Sequence, residues 1–184
     1  MIEKEKLGDL AMNAKKILEK LEEYTWLFML SAAGLAACAL LFPIVYRDES
    51  IGMNYLVWMI SLERESDGNF VFNDDIISRV GAIIETSIVI LSIIFLVIVG
   101  VKRLKKKEMD KVMNILLLLS AIFLTVSPVG YSIGASIAYE DFWGRYMAGF
   151  GLIAVYIAAG ISWFYYILLV MMKKRSPASP SGNS

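Results

Sequence analysis

Long apolar runs alternate with charged stretches along the whole chain. The runs cover residues 25–46, 80–101, 112–138 and 146–172. At a helical rise of about 1.5 Å per residue, even 22 residues extend about 33 Å, enough to cross a hydrocarbon core of about 30 Å. The pattern predicts four membrane-spanning helices. Residues 1–24 behave differently: Leu7, Leu10, Ala14, Ile17 and Leu21 recur at steps of three and four, with Glu and Lys between them. That is the stripe of an amphipathic helix. It could lie on the membrane surface or pair with a neighbour. Its lysines are matched by acids, which favours a cytoplasmic helix docked on its own protein or on a copy of it.

The connections differ in length and chemistry. The first, residues 47–79, is long and polar. It holds a β-branched and aromatic run over 54–63, then Ser66-Asp67-Gly68-Asn69, then Phe70-Val71-Phe72. Asp-Gly between such runs signals a hairpin, because glycine accepts the positive φ of a tight turn. A small β-hairpin in the first outer loop is therefore predicted. The second connection, residues 102–111, is strongly basic. The third, residues 139–145, is short enough that the helices it joins must be antiparallel neighbours. After Lys173-Lys174-Arg175, the Ser/Pro/Gly-rich end, residues 176–184, reads as a disordered tail.

Charge placement orients these elements. With the N-terminus in the cytoplasm, the cytoplasmic pieces carry fourteen of the 18 Lys and Arg residues. The outer pieces carry Arg47, Arg64, Arg79 and Arg145. Cytoplasmic loops of membrane proteins collect the cations, so both termini are expected inside, in a multi-pass cell-membrane protein.

Composition narrows the chemistry. Histidine is absent and Cys38 is the single cysteine. An intramolecular disulfide, a CxxC site and histidine-based catalysis or metal binding are thereby excluded. No glycine-rich phosphate loop and no convergent pair of carboxylates is visible. Glu63 and Glu65 read as a charged loop edge, and Glu140 and Asp141 are adjacent. The expectation is a protein without enzymatic activity, cofactor or bound metal, and without a nucleic-acid partner.

Two sets of residues stand out within the spans. Gly34 with Cys38, Gly130 with Gly134, and Gly151, Ala154 and Ala158 are small residues at helical spacing, which let another helix approach closely. Glu85 is an acid inside the second span, and an intramembrane carboxylate is a candidate functional group. It could anchor the helix by pairing with Arg79 or Arg145, or by bonding Ser132 or Ser136. It could also carry an ion or proton, or touch a partner. Outside the spans, Tyr55, Trp58, Phe70, Phe72 and Trp143 are aromatics on the outer side and candidate partner contacts.

The layout resembles the claudin and peripheral-myelin-protein family of four-span proteins. Val57-Trp58 stands where that family carries a Leu-Trp pair in the first loop, and Arg79 where an arginine enters the second span. The run from Ile122 through Pro128 to Asp141-Phe142, and then residues 149–160, resembles the third and fourth helices. The likeness covers residues 25–172. The two loop cysteines of the family are missing, so its disulfide cannot form here, and the N-terminal amphipathic helix is additional. The resemblance implies a left-handed four-helix bundle carrying an outer sheet, and a role in adhesion, barrier formation or assistance to a channel or receptor. No binding residue of the family transfers.

The sequence therefore predicts an all-α membrane protein: a four-helix bundle with a small outer β-element and a cytoplasmic N-terminal helix. The expected function is that of a membrane scaffold, auxiliary or adhesion subunit, in contact with membrane lipids and assembled as a homo-oligomer or within a larger complex. The alternative is an oligomeric channel or small transporter using Glu85 and the acidic outer loop.

Overall fold

The computed structural model describes residues 12, 16, 17, 20–47, 52–55, 61–64, 70–71, 76–105, 109–138 and 141–175. Most of the predicted amphipathic helix, the turn at 66–69, Trp58, Phe72 and the tail lie outside the described residues.

Pro43 sets the first boundary. Helix α1 spans Thr25–Leu41, and Phe42 is extended at φ −107° and ψ 153°. A proline disfavours the helical region for the residue before it and cannot donate to the helix ladder. The predicted span over 25–46 is thus corrected: its last four residues, together with Arg47, form strand β1, Pro43–Arg47. Strands β2 (Gly52–Tyr55), β3 (Ser61–Arg64) and β4 (Phe70–Val71) follow. The chain then enters helix α2, Ile76–Leu104, and helix α3, Lys111–Ala138. A single helical turn, α4 (Phe142–Arg145), leads into strand β5 (Met147–Ala148) and helix α5 (Phe150–Arg175). The predicted fourth span, 146–172, is corrected at its start, because Met147 and Ala148 belong to the sheet.

Three stretches are long and apolar enough to cross a membrane: Ile83–Leu104, Lys111–Ile137 and Phe150–Met172. The apolar helix α1 is shorter, at 17 residues. The four helices pack as a ring, α1 on α2 and α5, and α3 on α2 and α5. On α1 the inward face is Thr25, Met29, Ala32, Ala33, Ala36 and Ala39. Alanine there lets the neighbours come close. At Gly100 of α2 a Cβ would stand 3.0 Å from the Leu30 side chain. The centre is filled by Met29, Leu96, Met113, Leu117, Leu124, Val155 and Tyr165. Buried hydroxyls on these helices donate to their own preceding turn, Ser92 to Ile88 at 2.9 Å and Ser162 to Ala158 at 2.8 Å. That disposes of polar groups for which an apolar surrounding has no partner.

The hairpin expected in the first loop is part of something larger. The sheet has five strands in the order β4-β3-β2-β1-β5, antiparallel throughout. Sequence patterning misses β1, hidden in an apolar run, and β5, only two residues long. The inner strand β1 is buried at Ile44 and Val45 and pairs with both β2 and β5. The first and third connections therefore close one platform at one end of the bundle, the sheet end. The basic connection between α2 and α3 lies at the other, the connector end.

Candidate functional site

The sheet end is built on close backbone contact. The Gly149 N–H donates to the Ile44 carbonyl at 2.7 Å. A Cβ at Gly149 would collide with the Pro43 carbonyl, and one at Gly151 would lie 2.7 Å from the Phe42 carbonyl. Only glycine lets the start of α5 lie against the end of α1 this way. Asp141 precedes the turn α4 in the left-handed region, at φ 58°. That geometry drives Phe142 inward, where it stacks on Tyr146 at 4.6 Å and meets Tyr131 edge-on at 6.3 Å.

Of the candidate contact aromatics, Trp143 is 41% exposed, and its indole N–H donates to the Ser136 hydroxyl at 3.0 Å. Tyr55 lies on β2 opposite Pro43, and Phe70 on β4 opposite Arg64. Sequence reading overlooked a further exposed group here: Phe42, Tyr46, Met147 and Phe150. The sequence pattern places them in membrane spans; Tyr46 lies on β1, Met147 on β5, and Phe42 and Phe150 flank those strands.

Glu85 sits on the sheet-side half of α2, facing α3. Its carboxylate accepts a hydrogen bond from the Ser127 hydroxyl, and Ser127 is almost fully buried. One oxygen, Oε1, rests against Gly130, 2.8 Å from where a Cβ would stand. The other, Oε2, is buried without a hydrogen-bond partner among the described residues. Pro128, between Ser127 and Gly130, has no N–H to give the Leu124 carbonyl. The expected partners Ser132 and Ser136 are committed to the helix, donating to Pro128 at 2.7 Å and Ser132 at 2.8 Å. Helical phase gives the reason for the correction. Ser127 and Gly130 are three apart and share the face turned to α2.

The small residues divide. Gly151, Ala154 and Ala158 are buried between helices, whereas Gly34 and Gly134 are exposed, with nothing within 4 Å of a Cβ at either position. Inside the bundle, then, the packing face of α1 is the alanine face and not Gly34. Cys38 is a free, half-buried thiol. Among the described residues no group of three His, Cys, Asp or Glu side chains is placed to hold a metal ion.

At the connector end, Arg103 reaches the Glu22 carboxylate at 3.3 Å and the Glu22 carbonyl at 3.0 Å. Tyr165 is fully buried and donates to the Leu21 carbonyl at 3.2 Å. The Trp163 indole bonds Thr125 across α5 and α3 at 3.0 Å. These aromatics tie the bundle together. Leu21 packs on the core, but Ile17, expected on the same stripe, is exposed.

No known protein-family model matches this chain, and neither does any curated protein or any solved structure.

Proposed function

We propose that this chain is a four-span membrane scaffold or auxiliary subunit without enzymatic activity, acting through its sheet end and through outward helix faces. In this reading α1 is the fourth span, its 17 apolar-rich residues preceded by the short helical stretch at residues 20–23 and the turn at Tyr24. The fourteen cations at the connector end and the two termini support cytoplasmic termini, with the sheet end outside.

The observation that carries the proposal is the single sheet made from both outer connections. Its β1 strand is buried, it is seated on α1 and α5 by glycine contacts, and it ends in the edge strands β4 and β5. Tyr46, Trp143, Met147 and Phe150 form an exposed apolar rim beside β5. An edge strand with exposed aromatics next to it is suited to hold another chain. The small outer sheet also supports membership of the claudin and peripheral-myelin-protein type. Gly34, Gly134 and Gly160, open on the outside of their helices, suit close helix contacts in the membrane.

Mass measurement and cross-linking in mild detergent test the proposal. A homo-oligomer or a retained membrane partner is expected, weakened by Trp143→Ala combined with Met147→Asp. A strictly monodisperse monomer retaining nothing overturns it.

A second reading, an oligomeric channel or small transporter, is favoured by the buried Glu85 oxygen beside Ser127. Flux into liposomes should then appear with the unaltered protein and fall in Glu85→Gln. No flux under any gradient removes this reading.

A further inference from the structure

A groove of about 210 Å³ opens between the beginning of α3 and the end of α5. Its lining divides by chemistry. Ile115, Leu118, Leu169 and Val170 supply an apolar lining, and Lys111, Asn114 and Tyr166 supply an ammonium, an amide and a phenol. The cation is not isolated. Residues 102–111 hold six Lys and Arg against two acids, and Lys173-Lys174-Arg175 follow Val170 on α5. Asp110 is occupied as the cap of α3, accepting from the Met113 N–H at 2.7 Å, so it is held to its own helix.

We propose that this groove seats one anionic phospholipid of the membrane. The charge around the groove selects the occupant: a cationic group beside an apolar lining complements an anionic headgroup joined to an acyl chain, and fits no zwitterionic headgroup as well. The phosphate meets Lys111, Asn114 and Tyr166 donate to phosphate or ester oxygens, and one acyl chain lies over Ile115, Leu118 and Val170. The seat rests on the reading above that the connector end lies at the cytoplasmic membrane face.

The test is native mass spectrometry and thermal unfolding of the full chain in detergent, titrated with phosphatidylglycerol or phosphatidylcholine. The unaltered protein should retain phosphatidylglycerol in preference. Lys111→Glu should reduce that preference at least about fivefold, the scale of one lysine at a membrane surface. Lys105→Glu makes the same charge change on the connector but outside the groove, and should reduce it less. Leu118→Trp fills the groove without altering charge and should lower retention of both lipids. Glycerol phosphate, which has the headgroup chemistry without a chain, should not compete.

Equal losses in Lys111→Glu and Lys105→Glu overturn the seat, because they indicate a diffuse field. Competition by glycerol phosphate overturns it too, as does a dimer that survives delipidation and hides the groove. Variants are compared only where their unfolding remains cooperative. Lys111→Gln is the milder substitution if Lys111→Glu fails to fold. Labelling Lys105→Cys with a membrane-impermeant reagent, on a Cys38→Ser background, tests orientation separately. Labelling from outside overturns the topology reading, whereas loss of lipid preference alone overturns only the seat.

Discussion

Arg103, at the end of α2, holds Glu22 twice, through its carboxylate at 3.3 Å and through its backbone carbonyl at 3.0 Å. The guanidinium is largely buried, so solvent screens this pair less than a surface salt bridge. The carbonyl bond matters as well, because it satisfies an acceptor where the chain turns into α1. We expect Arg103→Ala to lower stability by about 1–3 kcal/mol, the range for hydrogen bonds to charged groups. Arg103→Lys should recover only part of this, since an ammonium cannot present the planar fork that reaches both acceptors. Thermal unfolding in detergent measures both. Limited proteolysis at the N-terminal segment should show faster cleavage in the alanine variant.

Two glycines should respond unequally to the same substitution. At Gly151 an added Cβ meets main-chain oxygens, Phe42 O at 2.7 Å and Pro43 O at 3.0 Å, which cannot move without shifting α1 from α5. Gly151→Ala should destabilise by about 1–3 kcal/mol, the usual range for overpacking. At Gly130 the added Cβ meets the end of the Glu85 side chain at 2.8 Å. A carboxylate can swing aside, and alanine gains up to about 1 kcal/mol of helix propensity over glycine. Gly130→Ala should therefore fall within about 1 kcal/mol of the unaltered protein. Equal unfolding temperatures for the two variants would contradict the close approach at Gly151.

How far the sequence reveals this structure follows from which forces act locally. Helix identity is set by long apolar runs, so α2 and α3 differ from the predicted 80–101 and 112–138 only by a few residues at their ends. Strand identity at Pro43–Arg47 and Met147–Ala148 is set by pairing across about a hundred residues, and no local pattern announces it. Proline at 43 is the available signal, since it disfavours helix in the residue before it, although Pro128 is carried inside α3. Glu85 was legible as an acid in an apolar run, but its partner depends on the rotation of α3, which small-residue spacing alone does not fix. On the N-terminal stripe, Leu21 packs on the core and Ile17 is exposed. Periodicity shows that a helix is amphipathic but not what covers its apolar face.

Ser127 and Glu85 give a third prediction. The Ser127 hydroxyl donates to this carboxylate, and Oε2 has no hydrogen-bond partner among the described residues. Ser127→Ala leaves both oxygens without a donor and should destabilise by about 1–3 kcal/mol. Glu85→Gln removes the charge while its amide oxygen still accepts from Ser127, so it should cost less. The double variant Ser127→Ala with Glu85→Gln should be less unstable than the sum of the two. Unfolding of all three in one detergent measures the cycle, and strict additivity would show that the pair does not interact.

Tyr165 closes the connector end from the other side. Its ring is fully buried, 4.9 Å from Phe28, and its hydroxyl donates to the Leu21 carbonyl at 3.2 Å. Thr25 donates to the neighbouring Glu22 carbonyl at 2.7 Å. Three side chains from three helices thus bind two successive carbonyls, Leu21 and Glu22, as the chain enters α1. Tyr165→Phe preserves the ring and removes one bond, which should cost about 0.5–1.5 kcal/mol. Because Arg103 and Tyr165 hold adjacent peptide units, freeing one should loosen the other. The double variant Tyr165→Phe with Arg103→Ala is expected to depart from additivity by at least about 0.5 kcal/mol. Hydrogen exchange at residues 21–25 should rise more in the double variant than in either single one. Additive unfolding energies with unchanged exchange would show that the two bonds act independently and that no common latch exists.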